Sequence, residues 1–511
     1  MTLLDLFDAA LRDRSRSIAV NDVTYEDLHA GASRAAGLLA ERGVRAGDRV
    51  GIYCENRIGF VFAYLATLRL GAVVVPINVL YRAAELEHVL ADARVRCVVA
   101  SEDTRAHLAS GTPVLDVRDV EARAADGAAP LAAAERAPEP ETIAAILYTS
   151  GTTGRSKGAM LTHGNLATTA MHVVTAWRWQ ETDTLAIALP LFHTHGLSAA
   201  LNGTLVAGAR LLVHARFDAS AMLATLRRDD VTMFFGVPTM YVRLLEALAA
   251  SGEAAPVLRL CVSGSAALAA DVHDAFRARF ATDILERYGA TEFGFALSNR
   301  YGGPRVAGSV GVPFPGIRVR IVDPRTRADV DHGSVGELLV AGPNVFAGYW
   351  EMPDATAAAF VTGDDGTRWY ASGDLALFDA AERVYRIVGR SKELIISGGF
   401  NIYPREIEIE IDRHPGVVAS AVIGIPDAAR GELPIAFIET SHDVDSAALL
   451  AVLRERLASF KIPRAVHIVD ALPRNAMGKI EKQKLLPLVT RSSSAGERGN
   501  DYRSRPSTGS G

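Results

Sequence analysis

The sequence predicts an α/β protein, with a large N-terminal domain of helix-covered β-sheets that includes a β subdomain, followed by a small C-terminal α+β domain. Three observations carry this. The chain has 511 residues, more than one hydrophobic core accommodates. Short apolar runs alternate with amphipathic stretches through its first half, the pattern of parallel sheets covered by helices. From about residue 311 alternating strands replace that pattern, and a composition break follows at Val388-Gly389-Arg390-Ser391-Lys392.

In chain order, Thr2 caps a helix over 3–12, and Thr24 starts another through about 42, with Glu26 and Asp27 where the helix dipole favours acid. A strand over 49–53, a helix over 60–70, a strand over 72–76, a helix over 83–91 and a strand over 97–99 follow. The Ala-rich stretch from 120 to about 138 reads as a linker or loose helix. Strands are predicted at 143–147, 184–189, 209–214, 232–236, 257–262 and 283–285, with helices at 218–228 and 270–280. The β subdomain contributes strands at 317–322 and 336–340. The C-terminal part has strands at 417–425 and 435–439 and a helix at 446–457.

Bulk properties exclude several classes. A net charge of −5 implies no large nucleic-acid footprint. Cys54, Cys97 and Cys261 are scattered, without a Cys-x-x-Cys, which points to reduced thiols in a cytoplasmic setting. The first residues lack a cationic n-region, so no signal peptide is expected. No apolar run reaches membrane-spanning length. The Ser/Gly/Arg-rich tail, 489–511, is expected to be disordered.

Chemistry is concentrated in Tyr148-Thr149-Ser150-Gly151-Thr152-Thr153-Gly154-Arg155-Ser156-Lys157-Gly158, directly after an apolar run. Glycines let backbone N–H groups approach an anion. Hydroxyls donate to phosphate oxygens, and Arg155 and Lys157 neutralise charge. The order is not that of a Walker A loop, which needs Gly before the Lys and Ser/Thr after it. By composition alone, a solvated glycine-rich turn is the alternative. Three further polar motifs follow predicted strands: Pro190-Leu191-Phe192-His193-Thr194-His195-Gly196, Ser263-Gly264-Ser265 and Glu286-Arg287-Tyr288-Gly289-Ala290-Thr291-Glu292. Ligands of open α/β sheets bind outside the carboxyl ends of strands, so all four are expected to share one site.

The string from Tyr148 to Gly158 resembles the signature of the adenylate-forming (ANL) superfamily: acyl-CoA synthetases, luciferases and peptide-synthetase adenylation domains. The resemblance extends to Tyr288-Gly289-Ala290-Thr291-Glu292, Ser372-Gly373-Asp374, Gly389-Arg390-Ser391-Lys392-Glu393 and Pro473-Arg474-Asn475-Ala476-Met477-Gly478-Lys479. It implies an acyl-CoA synthetase/luciferase-like fold, with an AMP-binding domain at 1–389 and a mobile domain at 390–488 carrying the catalytic lysine. It implies an ATP-dependent acid–thiol ligase that makes an acyl adenylate and then an acyl-CoA, using ATP, Mg2+ and coenzyme A.

By the same resemblance, Thr149, Ser150, Gly151, Thr152, Thr153, Gly154 and Lys157 hold the β- and γ-phosphates. Glu292 holds Mg2+ beside Thr291, and Asp374 and Arg390 face the ribose. Ser263, Gly264, Ser265 and Tyr288 border the adenine, and Glu286, Arg287, Gly289 and Thr291 are further nucleotide-binding residues. Lys479 bridges the carboxylate and the α-phosphate in the transition state, Lys392 is the hinge, and Ser397, Gly398 and Gly399 pass the pantetheine arm.

For the acid, His193, Ser263, Arg243 and Arg287 are expected at the acyl pocket. A guanidinium suits a second carboxylate better than an alkyl chain. These motifs look most like malonyl-CoA synthetases, although Ala290 stands where that subfamily usually has Met, which keeps methylmalonate open. Arg243 as a helix-surface residue and Arg287 paired to Glu286 are the structural alternatives. A metal His-x-His at His193-Thr194-His195 is a weaker reading, since no complementary ligand set accompanies it. A medium- or long-chain fatty acyl-CoA synthetase and a non-catalytic nucleotide-binding paralogue are the alternative functions. The expected partners are the carboxylic acid, ATP and CoA, in a monomer or homodimer.

Overall fold

Strands buried on both faces need unbroken apolar runs, and Val73–Pro76, Thr184–Ile187, Met233–Gly236 and Leu260–Ser263 are buried at every position. The computed structural model describes residues 1–127, 138–149, 156–228, 230–397, 400–427, 430–475 and 478–488. Ser150, Gly151, Thr152, Thr153, Gly154, Arg155, Gly398, Gly399 and the tail 489–511 therefore lie outside the described residues. The chain divides into two compact units, Met1–Ile387 and Val388 onward.

Three sheets build the first unit. A seven-stranded sheet runs Gly348–Tyr349, Lys157–Thr162, Ile143–Thr149, Val73–Pro76, Arg49–Tyr53, Val95–Ala100, Val114–Asp116. A nine-stranded sheet runs Val312–Pro313, Gly294–Ser298, Ile284–Ala290, Leu260–Ser263, Met233–Gly236, Thr184–Ile187, Arg210–Val213, Ile18–Val20, Val23–Thr24. The centres of both are parallel. A third, antiparallel sheet pairs Arg318–Val322, Gly336–Ala341, Arg368–Asp379 and Phe360–Thr362, with Val384–Arg390 beside Arg368–Asp379.

Local chemistry sets the helix starts. Thr2 accepts from the Asp5 N–H at 3.1 Å while Asp5 accepts from the Thr2 N–H at 2.7 Å, a capping box before Leu3–Arg14. Thr24 caps Tyr25–Glu41 through the Asp27 N–H. The Ala-rich stretch is partly a regular helix, Val117–Ala125, whose Val117, Val120 and Ala124 are buried.

Two predicted strand ends are corrected. The strand expected to stop at Leu147 runs to Thr149 and turns back as Lys157–Thr162, with Thr149 opposite Lys157. The strand expected to stop at Leu285 continues to Ala290. It pairs in parallel with Leu260–Ser263 as far as Glu286, then antiparallel with Gly294–Ser298 from Arg287 on. Residues 287–290 of that motif are thus the stem of a hairpin, because a second strand takes up their backbone groups.

After Thr184–Ile187 the chain enters a fully buried π-helix, His195–Leu201, a form that recurs at functional sites. Gly196 permits it: a Cβ there would lie 2.2 Å from the Pro190 carbonyl oxygen. Gly196→Ala is expected to destabilise the protein by ~1–3 kcal/mol, the cost of overpacking. Thermal unfolding checks this, and an unchanged Tm contradicts it.

The second unit has its own sheet, Phe400–Ile402, Ile395–Ser397, Gly431–Thr440 and Val417–Asp427, with Val466–Val469 parallel to Gly431–Thr440. Helices Pro404–Asp412 and Ser446–Arg456 bury Ile407, Ile411, Leu449 and Leu453 against it. Among the described residues, no helix is long and apolar enough to cross a membrane.

Candidate active site

Glu292 stands at the tip of the hairpin joining Ile284–Ala290 to Gly294–Ser298 and is 9% exposed. The Tyr349 hydroxyl donates to its Oε1 at 2.9 Å, and the Phe346 N–H donates to its backbone carbonyl at 2.7 Å. Tyr349 belongs to a short strand on the edge of the seven-stranded sheet, paired with Lys157–Thr162. Lys157 Nζ lies 4.7 Å from the Tyr349 ring centroid, within cation–π range. This segment bridges the two large sheets, with Lys157 near the ring of one tyrosine and Glu292 on its hydroxyl. Burial, then the Glu292 charge, pushes the Tyr349 phenol up, so it stays a neutral donor. The sequence reading missed Tyr349. Its only signal was an aromatic pair, Tyr349-Trp350, after Gly348.

Asp374 is 6% exposed and accepts from the Tyr288 hydroxyl at 2.6 Å. The pairing jumps from Leu339–Ala371 to Glu337–Leu375. Ser372, Gly373 and Asp374 therefore bulge opposite Leu338, a device common beside active sites. Ser372 Oγ donates to the Leu338 carbonyl at 2.6 Å and accepts from the Asp374 N–H at 3.1 Å, fixing the bulge.

Arg287 is buried at 6% exposure. Its guanidinium carbon lies 4.3 Å from the Phe295 ring centroid, and its Nη2 makes a long 3.5 Å donation to Ser265 Oγ. Its Nε has no partner among the described residues. Burial pushes it down to about 9, still a cation at neutral pH. Gly264 admits it: a Cβ there would sit 2.5 Å from the guanidinium carbon. Ser265 holds φ at +71°, a costly conformation for a non-glycine residue and one that marks functional loops.

His195, fully buried, stacks near Phe235 at 6.2 Å and meets Phe295 edge-on at 6.3 Å. Neither ring nitrogen has a partner among the described residues, and the buried Ser263 Oγ is likewise unpartnered. Burial, then the Arg287 charge, drives His195 well below its ordinary value, so the ring is neutral. Sequence reasoning had favoured His193. That residue is half-buried, and its Nδ1 accepts from the His195 N–H at 3.4 Å. Among the described residues no group of three or more His, Cys, Asp or Glu gathers as a metal cage, and Mg2+ held by one carboxylate and substrate phosphates needs none.

Two expected contacts differ. Arg243 is exposed on helix Pro238–Ser251, its guanidinium carbon 5.2 Å from the Phe217 ring centroid. It is not brought to Arg287, because the buried stripe of that helix is Tyr241, Leu244 and Leu248. Glu286 is not ion-paired to Arg287 in this structure. Its Oε1 accepts from the Gly308 N–H at 2.8 Å, which ties that carboxylate to a loop. Thr149, Gly289 and Thr291 are half-buried on the two hairpins described above.

In the second unit Lys479 lies in a tight loop. Its N–H donates to Asn475 Oδ1 at 3.0 Å, and its carbonyl accepts from the Asn475 N–H at 2.9 Å. Arg390 ends the strand Val384–Arg390 and is half-buried. Lys392 is exposed on the 3-10 turn Ser391–Glu393, and Ser397 is buried at the end of Ile395–Ser397.

Two large sheets joined at a cationic and acidic hairpin pair, with a second unit carrying a looped lysine, define an adenylate-forming enzyme. The chain matches the AMP-binding enzyme family over residues 7–350 and the AMP-binding enzyme C-terminal domain over residues 406–479. It is 37% identical to a feruloyl-CoA synthase of Amycolatopsis sp, covering 90% of this chain and 92% of that protein. It is 34% identical to the mitochondrial malonate–CoA ligase of Mus musculus, covering 91% and 86%. The ATP-bound MatB structure from Rhodopseudomonas palustris superposes with a TM-score of 0.87 at 40% identity, covering 96% of this chain and 99% of that one.

The chain belongs to the AMP-binding enzyme family. It is an acid–CoA ligase that works through an adenylate, on a carboxylic acid, ATP and coenzyme A with Mg2+. The donor set fits these groups: a single buried carboxylate with a neighbouring hydroxyl for Mg2+, Lys157 for phosphate, and unpartnered buried polar atoms for an oxygen-rich ligand.

Proposed function

We propose that the acid is a short dicarboxylate, malonate first, with methylmalonate the nearest variant. The observation that carries this is Arg287, a buried guanidinium with no carboxylate partner among the described residues. A charge in that position is costly until an anion meets it, and a second carboxylate does so with charge-assisted hydrogen bonds. The unpartnered His195 nitrogens and Ser263 Oγ offer further polar contacts that an alkyl chain would leave unmet. Similarity to a malonate–CoA ligase supports the reading, while similarity to a feruloyl-CoA synthase makes an aromatic acid the competitor.

In this reading the first unit is the adenylation domain. Lys157, with the glycine-rich segment before it, takes the leaving pyrophosphate, Glu292 takes Mg2+ beside Thr291, and Asp374 takes the ribose. The ribose role is checked by the KM for ATP of Asp374→Ala, which is expected to rise about 10-fold or more. For the second unit the family resemblance supports a ribose-binding role for Arg390, a hinge at Lys392 and a catalytic role for Lys479 in adenylate formation. Ser397 borders the CoA path. Arg243, on the surface, carries no role in anchoring the acid.

Competition tests the substrate. The enzyme is given ATP, Mg2+, CoA and equimolar malonate, methylmalonate, ferulate and octanoate, and the thioesters are weighed by mass spectrometry. Malonyl-CoA is expected to dominate. A predominance of feruloyl- or octanoyl-CoA would overturn the proposal.

A further inference from the structure

Three residues beyond Lys479, the second unit holds a half-buried cation, Lys482, outside the site proposed above. Lys482 begins the 3-10 turn Lys482–Lys484, and its side chain is 18% exposed. Its Nζ lies 3.0 Å from Glu393 Oε2 and 2.7 Å from Glu408 Oε1. Each partner belongs to a different segment. Glu393 closes the turn Ser391–Glu393, one residue past Lys392. Glu408 lies on helix Pro404–Asp412 and is 5% exposed; its Oε1 also accepts from the Val422 N–H at 2.9 Å, which pins it to the strand Val417–Asp427. One ammonium therefore ties the lysine loop, the turn at Lys392 and the body of the unit together.

Two contacts flank the lysine loop, within which the Gly478 N–H donates to the Asn475 carbonyl at 2.9 Å and Asn475 closes on Lys479. One is Arg474, 3.4 Å from Glu439 Oε2. The other is the Glu481 N–H on the Pro473 carbonyl, then Lys482 in its cage. Burial would push the Glu393 carboxyl up, but the Lys482 charge prevails and holds it below the usual range, with Lys479 and Arg390 adding to the pull. Stability alone does not call for this arrangement, since buried ionic triads are often replaceable by apolar groups without loss.

We propose that Lys482 is a positioning residue for Lys479: bound between Glu393 and Glu408, it makes the lysine loop and the turn at Lys392 move as one rigid piece. The proposal rests on the reading of Lys479 as the catalytic lysine. A misplacement of about 1 Å at a reacting group costs on the order of 100-fold in rate, and that is the size of effect the triad guards against.

The test is acid-dependent ATP–pyrophosphate exchange with malonate on the full chain. Lys482→Met is combined with Glu393→Gln and Glu408→Gln, so that no unpaired charge is left buried. The expected result is a kcat for exchange lowered about 100-fold, a KM for ATP unchanged, a Tm near that of the parent, and recovery in the single variant Lys482→Arg. An unchanged kcat would overturn the proposal, as would a loss that merely follows a lowered Tm. Lys479→Ala is run alongside: its full activity would overturn the reading of Lys479 and the proposal with it. Loss in Lys479→Ala without loss in the triad variant overturns the proposal alone.

Discussion

Arg287→Met is expected to lower kcat/KM for malonate about 100-fold or more, and to leave that for acetate within a few-fold. Truncating one side of a buried, hydrogen-bonded charge pair costs 2–5 kcal/mol in general, and only the dicarboxylate makes that pair. The guanidinium sits over Phe295, packed against Gly264, and its donation to Ser265 Oγ is 3.5 Å long. It is thus desolvated with only a ring face and a long hydrogen bond beside it among the described residues. The same variant is therefore expected to raise the stability of the ligand-free protein by ~1 kcal/mol or more, seen as a higher Tm. Steady-state kinetics with the two acids and a thermal scan check both parts. An unchanged acid preference would make Arg287 a structural residue.

Lys479→Ala is expected to lower adenylate formation about 100–1000-fold, the cost of removing one preorganised charge from a transition state. Thioester formation from supplied acyl adenylate should persist, because the role proposed for the lysine is confined to the step in which the carboxylate attacks the α-phosphate. That reaction develops charge between two anions, where a cation helps most. Pyrophosphate exchange measures the first half-reaction and CoA consumption the second. Equal loss in both would contradict a lysine reserved for one of them.

How far the sequence could be read depended on where the information lay. Thr24 before Tyr25–Glu41 was legible because capping is local. The buried strands were legible from their apolar runs. The hairpin character of residues 284–298 was not, since parallel pairing on one edge and antiparallel pairing on the other depend on two different partner strands. The bulge at Ser372-Gly373-Asp374 was hidden for the same reason: it exists only against Leu338. Tyr349 could not be placed, because its partners Glu292 and Lys157 are remote in sequence and meet only through a strand of two residues.

The two arginines are the most instructive pair. Both followed motifs at the expected acyl pocket, and residue type alone could not separate them. Helix phase could have done so for one, since Tyr241, Leu244 and Leu248 form the buried stripe and Arg243 falls off it. For Arg287 no local signal distinguishes a partnered strand residue from an uncompensated one. Only the packing against Gly264 and Phe295, with Glu286 turned to Gly308, isolates its charge.

This ligase is proposed to select its acid through a buried cation, Arg287. Acid-dependent ATP–pyrophosphate exchange tests it most directly, with kcat/KM compared among malonate, methylmalonate, acetate and octanoate on the unaltered enzyme. Malonate or methylmalonate is expected first, with acetate and octanoate each lower. Octanoate outperforming malonate would contradict it.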